Sequence, residues 1–185
     1  MSDKFPIETI ISSHIMYKGN KINLRKDATS VQLPDENIML HREIVESANG
    51  VVIVPFTSDE RIIFVRQSRW PIQNILLELP AGGIEFNENE DVAALRELRE
   101  ETGYRSDQML KLGGFFVAPG YSTEYMYGYL ARDLTFDPLK PDFDEFFEIV
   151  KLSWSEAIEC IKQGIIQDAK TLAVLFIAKQ NSHNK

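Results

Sequence analysis

The stretch GGIEFNENEDVAALRELREETGY, residues 82–104, decides how this chain is read. It opens on paired glycines, crosses a short polar segment and takes up helical spacing in DVAALRELREETG. Asn87 and Glu90 stand at the separation of a capping box, and Gly103 is placed as the helix stop. At about 100° per residue, Glu97, Glu100 and Glu101 share one face, while Ala94, Leu95 and Leu98 point elsewhere. Like charges one turn apart cost on the order of 0.2–0.5 kcal/mol, so a converging carboxylate face needs a reason. One reason is a solvated face neutralised by Arg96 and Arg99. The other is a hard divalent cation such as Mg²⁺, with Mn²⁺ as a substitute, which favours carboxylate oxygens plus water.

The spacing favours the cation. From Gly82, five residues lead to Glu88, seven more to Arg96-Glu97-Leu98, one to Glu100-Glu101 and one to Gly103-Tyr104. This resembles the Nudix box, Gly-x5-Glu-x7-Arg-Glu-U-x-Glu-Glu-x-Gly-U, where U is a bulky aliphatic residue. Every fixed residue is present, and Tyr104 at the last U is the sole departure. LLELPAGGIE before the box, APGYSTE after it, DEFFEIVKL and the late DAKT resemble the ADP-ribose pyrophosphatase branch of that family. Together they cover about residues 40–180.

The resemblance implies a fold and a set of roles. The fold is an α/β/α sandwich with a mixed sheet, plus an N-terminal β unit exchanged across a homodimer. The reaction is hydrolysis of the pyrophosphate of ADP-ribose to AMP and ribose 5-phosphate. Glu97 and Glu101 match metal ligands, Glu100 assists directly or through water, and the backbone carbonyl of Ala81 completes the set. Arg96 matches the residue that holds the glutamates in place. Glu145 in the acidic run DFDEFFE matches the catalytic base, with Glu148 as runner-up. Relatives often carry an acid two positions after the base; here Phe147 stands there.

Substrate contacts follow in the same way. VRQSRW resembles the strand end that meets the diphosphate, with Arg69 the better match and Arg66 second. Arginine suits that role because its planar fork binds phosphate oxygens in pairs. HREIVE resembles the strand that reaches the nucleoside across the dimer, which nominates Arg42 and Glu43. Glu124 matches an acid that binds ribose hydroxyls or aligns water, and Pro119 marks the branch. Trp70 and Tyr121 are candidates for stacking on adenine, or for packing.

Outward from the box, residues 7–46 alternate and break at Gly19-Asn20 and Pro34-Asp35, which predicts three short antiparallel strands. A composition shift at residues 47–50 divides an N-terminal β subdomain (1–46) from a main domain (47–185). VVIVPF and RIIFVRQ read as a hairpin, MLKLGGFFVAPGY, EYMYGYLARDL and FFEIVKLS as strands. Ser153 and Glu156 open one helix, and a second is expected from Asp168 to Lys179, burying Leu172, Leu175, Phe176 and Ile177. The class is α+β. His14, His41 and His183 have no spacing that suggests a metal site, and Cys160 reads as core.

Composition narrows the functions. The chain has 185 residues, 44% hydrophobic, with a net charge of -8. Such acidity disfavours a nucleic-acid partner, since it repels a phosphate backbone. No apolar run approaches the roughly 20 residues of a membrane span, and MSDKFPIETI does not resemble a signal peptide, so the expected location is the cytoplasm. The partner that the resemblance implies is a small nucleotide sugar. Close alternatives are UDP-sugar or GDP-mannose hydrolysis; a non-catalytic nucleotide-sugar sensor is the alternative from another class.

Overall fold

The computed structural model describes residues 7–140 and 146–181. The chain folds into two compact units, one of residues 7–48 with 118–124 and one built from the described residues of 49–117 and 125–181.

In the first unit, β1 (Glu8–Lys18), β2 (Ile22–Gln32) and β3 (Asn37–Ser47) form an antiparallel sheet in chain order. Both turns fall where the sequence puts them: Gly19 N–H donates to Ile22 at 2.9 Å, and Leu33 N–H to Glu36 at 2.8 Å. Residues 118–124 belong here despite their distance along the chain. Val45 N–H donates to the Tyr121 carbonyl at 2.8 Å, and Thr123 N–H returns a bond to Val45 at 3.0 Å. The outer strand β1 is exposed along nearly its whole length. Ile10, Ile11, Ile15, Met16 and Tyr17 each keep more than half their surface in solvent.

The second unit runs β4 (Gly50–Pro55), β5 (Ile62–Arg69), β6 (Asn74–Glu78), β7 (Ala81–Gly83), α1 (Glu90–Thr102), β8 (Tyr104–Phe116), β9 (Tyr125–Phe136), β10 (Glu148–Leu152), α2 (Trp154–Lys162) and α3 (Ala169–Asn181). A mixed sheet takes the order β7-β4-β9-β8, with β4 and β9 parallel. A second sheet, β10-β5-β6, is antiparallel throughout. Strand β4 is buried at all six positions, which requires a layer on each face. Val51 and Ile53 pack with Ala93, Ala94 and Leu98 of α1. Val52 and Val54 face the other way, into the cluster of Phe64, Val174 and Leu175. Period-two alternation in one strand thus separates the two helical layers.

Three expectations change. The hairpin of β4 with β5 does not form: one bridge, Phe56 to Ile62, joins them, and the strands enter different sheets. Both carry unbroken apolar runs, so alternation offered no single face by which to choose a partner. Asn89, not Asn87, caps α1, its side chain accepting from Val92 N–H at 2.9 Å, while Asn87 takes a left-handed conformation before it (φ 65°). In α3, Leu175 is buried as expected, but Phe176 is 67% exposed and the inward positions include Thr171, Val174 and Ala178. A buried threonine is hard to foresee from hydrophobicity, since a hydroxyl goes inside only with partners. The Ser153–Glu156 capping box forms, and Gly103 ends α1 at φ 76°. Cys160 packs against the core, as expected.

The start of α1 is also tied to the mixed sheet. Tyr129, 1% exposed, donates its hydroxyl to Asp91 at 2.6 Å. Burial and the adjacent carboxylate push the phenol far above its ordinary pKa, so it remains a donor. Tyr129→Phe should lower the free energy of unfolding in urea by about 1.5–3 kcal/mol, the cost of a lost hydrogen bond to a charged group. An unchanged midpoint would show that this tether carries no stability.

Candidate active site

The site is assembled from α1 and the backbone of β7. Leu98, Ala93 and Ala94 anchor the helix on β4, and Glu97 and Glu101 lie along this same buried side, where they meet the Ala81–Gly83 strand, with Glu100 at its margin. The sequence suggests an exposed carboxylate face, yet Glu97 and Glu101 retain only 7% and 5% of their surface. They lie against the loop backbone. Glu101 accepts from Ala81 N–H at 3.1 Å. The Glu97 carboxylate occupies the space where a side chain on residue 82 would begin: a Cβ there would fall 2.1 Å from its carboxyl carbon. Gly82 is therefore required for room. Its backbone is not in the left-handed region, so space and not backbone conformation calls for a glycine here.

Arg96 holds the cluster together. Its Nε and Nη2 bind both oxygens of Glu88 at 2.9 and 2.8 Å, and Nη1 binds Glu97 at 2.7 Å and Glu100 at 2.9 Å. Nη2 also donates to the Gly83 carbonyl at 2.8 Å. One guanidinium thus links helix, loop and strand. Glu88 hydrogen-bonded to Arg96 has its pKa lowered, and Arg96, with three carboxylates around it, has its own raised. Both stay charged at neutral pH.

Among the described residues, no three acidic, histidine or cysteine side chains gather closely enough to hold a metal by themselves. Mg²⁺ does not need such a cage, since it usually keeps several waters and takes one or two carboxylates. Two buried glutamates packed against the backbone beside Ala81 supply oxygen donors of that kind. The residues fit a hard divalent cation.

A second charged group lies next to this loop. Glu78 is 1% exposed, and Arg69 binds both its oxygens, through Nε at 2.8 Å and Nη2 at 2.7 Å. Lys170 of α3 also donates to Glu78 and pairs with Asp168 at 2.9 Å. Asp168 accepts from Thr171 N–H and Oγ1 at 3.0 and 2.7 Å, and Thr171 Oγ1 accepts from Leu79 N–H at 2.9 Å. Burial alone would push the Glu78 carboxyl up; Arg69 and Lys170 overcome it and hold its pKa below the ordinary value. The pKa of Arg69 is raised, chiefly by its hydrogen bonds to Glu78. Glu78 and Lys170 lie in LLE and DAKT, and no local sequence rule gives either of them a role. The signal was present as an acid in an apolar strand, NILLELP, which requires a buried partner.

The remaining candidates divide. Arg66 lies across from Glu148 on paired strands, and they bond at 2.8 Å. With Gln67, Ser68, Ile75, Phe146 and Phe147 they line a pocket of about 310 Å³. Glu145 and His183 lie outside the described residues. Trp70 is exposed in a short 3-10 turn, Trp70–Ile72. In the other unit, Arg42 is paired with Glu8, and Glu43 is exposed on β3. Pro119, Tyr121 and Glu124 sit in the segment bonded to the end of β3, with Glu124 N–H donating to Ser122 at 3.1 Å. His14 and His41 are exposed strand residues.

Gly82→Ala should leave the circular dichroism spectrum unchanged and reduce turnover on the order of a hundredfold, because the methyl must displace the Glu97 carboxylate by about an ångström or more. Full activity in this variant would show that the contact between Glu97 and the loop is dispensable.

Comparison with known proteins gives this arrangement a family. The sequence model of the NUDIX domain matches residues 46–174. The chain is 35% identical to a methanol dehydrogenase activator of Bacillus methanolicus, covering 95% of each chain. It is 32% identical to an ADP-ribose pyrophosphatase of Bacillus subtilis (strain 168), over 89% of this chain and 88% of the relative. It is 29% identical to a GDP-mannose pyrophosphatase of Cronobacter sakazakii, over 84% and 87%. A crystal structure of an ADP compounds hydrolase superposes with a TM-score of 0.80, over 97% of this chain and 95% of the other, at 21% identity. With its box complete and its glutamates set against the loop, the chain belongs to the Nudix family and is a Nudix hydrolase.

Proposed function

We propose that this hydrolase cleaves the pyrophosphate bond of ADP-ribose, releasing AMP and ribose 5-phosphate, with Mg²⁺ as cofactor and Mn²⁺ able to replace it. The observation that carries this reading is the packing of Glu97 and Glu101 against the Ala81–Gly82 backbone. The similarity to an ADP-ribose pyrophosphatase along most of both chains supports the choice of substrate.

Glu97, Glu101 and the Ala81 carbonyl would hold the cation, with Glu100 assisting directly or through water. When bound, it neutralises phosphoryl oxygens and makes water more acidic. The chain supplies the rest. Arg96 keeps the like-charged glutamates together, and Arg69 binds the diphosphate, with Arg66 second. Glu145 accepts the proton of the attacking water. Glu148 is the weaker candidate for base, because its carboxylate is committed to Arg66.

The first unit serves the nucleoside in this reading. A second copy of the chain covers the apolar residues of β1, an eleven-residue outer strand too long and too exposed to stay unpaired. The resulting homodimer gives Arg42 and Glu43 their role at the nucleoside, and Glu124 and Pro119 theirs in the segment at the ribose or the water. Sedimentation velocity should show a dimer at assay concentrations; a fully active monomer rejects this part of the reading.

A second reading keeps the chemistry and changes the substrate to GDP-mannose, as in the relative of that name. Hydrolysis of ADP-ribose, GDP-mannose and UDP-glucose, measured with Mg²⁺ and with excess chelator, separates the readings. ADP-ribose should give the highest kcat/KM, and chelator should abolish turnover. Turnover undiminished by chelator rejects the metal assignment, and preference for GDP-mannose rejects the substrate. Glu101→Gln, which removes a ligand charge without changing shape, should reduce kcat by orders of magnitude.

Glu145→Gln tests the base. It should lower kcat about 10²–10⁴-fold, as loss of general-base catalysis does, with KM little changed. Glu148→Gln should have a much smaller effect. If the two effects were exchanged, Glu148 would be the base; if both were small, Glu124 would be the next residue to replace.

A further inference from the structure

Arg69 does not stand alone. Its fork is closed on Glu78, the most deeply buried carboxylate among the described residues, and Glu78 is shared with Lys170. Burying the carboxylate costs desolvation that offsets much of its attraction to the two cations, so the pair gives little net stability. A buried pair of this kind is better explained by what it positions.

Geometry shows what that is. Val65 faces Glu78 and Arg69 faces Asn74 across β5 and β6, so Arg69 and Glu78 share a sheet face four register positions apart. The Arg69 side chain runs back along the sheet to reach Glu78. Nε and Nη2 are used in that pair, Nη1 takes no part in it, and 39% of the side chain stays open to solvent. A free arginine has many rotamers; this one has its plane fixed at two points. Glu78 is itself held by Lys170, which Asp168 orients, and the next residue, Leu79, is fastened by Thr171. Leu79 leads directly into Pro80 and Ala81. The start of α3 therefore fixes both the arginine and the loop that meets Glu97 and Glu101.

We propose that Glu78 is a positioning residue: with Lys170 behind it, it holds the Arg69 guanidinium ready to bind a substrate diphosphate. The proposal rests on the reading of Arg69 as a diphosphate ligand. It predicts that loss of Glu78 acts on substrate binding through Arg69 and through nothing else.

The test is a double-mutant cycle on KM and kcat for ADP-ribose, using the full chain with Mg²⁺. Arg69→Ala should raise KM roughly tenfold or more. Glu78→Gln should raise KM by a similar factor with kcat changed less than about threefold, and the double variant should be no worse than Arg69→Ala alone. A merely structural glutamate would instead give effects that multiply. Glu78→Asp covers the case in which Glu78→Gln does not fold: it keeps the negative charge between Arg69 and Lys170 but draws the carboxylate back by one methylene, and KM should still rise. If Arg69→Ala leaves KM unchanged, the reading of Arg69 falls and the proposal with it. If Arg69→Ala raises KM but the folded Glu78 variants do not, or the effects multiply, the positioning role alone is overturned.

Discussion

Three carboxylates on the last two turns of α1, two of them buried, would repel one another and the backbone beside them without Arg96. Its guanidinium meets Glu88, Glu97, Glu100 and the Gly83 carbonyl together, which few other side chains have the donors to do. Lysine would offer a point charge without the planar fork. The rest of the site inherits its geometry from this group. Glu88 is brought in from the loop before the helix, the strand is drawn to the helix through Gly83, and Glu97 is pressed onto Gly82. The fold thereby offsets the mutual repulsion of these acids before anything binds to them.

The other side of the loop is held by different means. Here the charges are on sheet and helix, Arg69 and Glu78 on neighbouring strands and Lys170 and Asp168 at the start of α3. Thr171 closes the arrangement by linking Asp168 to Leu79 N–H. The segment between Leu79 and Gly83 is therefore fixed from α3 at one end and α1 at the other. Both helices rest on β4, one on each face, so the relative position of the two charged groups is set by the packing of a single apolar strand. Stiffness of this sort suits a reaction in which phosphoryl transfer depends on placement more than on covalent chemistry.

The family relationship and the geometry speak to different parts of the reaction. The box and its loop are general parts for pyrophosphate hydrolysis, and relatives named for ADP-ribose and for GDP-mannose both align with the chain. Discrimination between such substrates must come from residues outside the box that touch base or sugar. Segment 118–124 follows β8 along the chain and bonds to β3 within the first unit.

Much of this was readable in order along the chain. The glutamate spacing, the glycine stop at Gly103, the turns of the N-terminal sheet and the Ser153 cap follow from local rules, because each depends on residues within a turn or two of one another. Tertiary packing decided the rest. Strand β4 chose β7 and β9 over β5 because, with both faces buried, its sequence named no partner. Glu97 and Glu101 became buried because Leu98, Ala93 and Ala94 seat α1 on the sheet, and the two glutamates lie on that same side, where the loop closes over them. Gly82 proved necessary for the volume of a neighbouring carboxylate, a constraint set by a residue fifteen positions away. Glu78 and Lys170 are 92 residues apart, and no local pattern could pair them. Sequence by itself determined which chemistry the chain carries; only the folded structure determined which charges meet, because burial and long-range contact are properties of the packed chain.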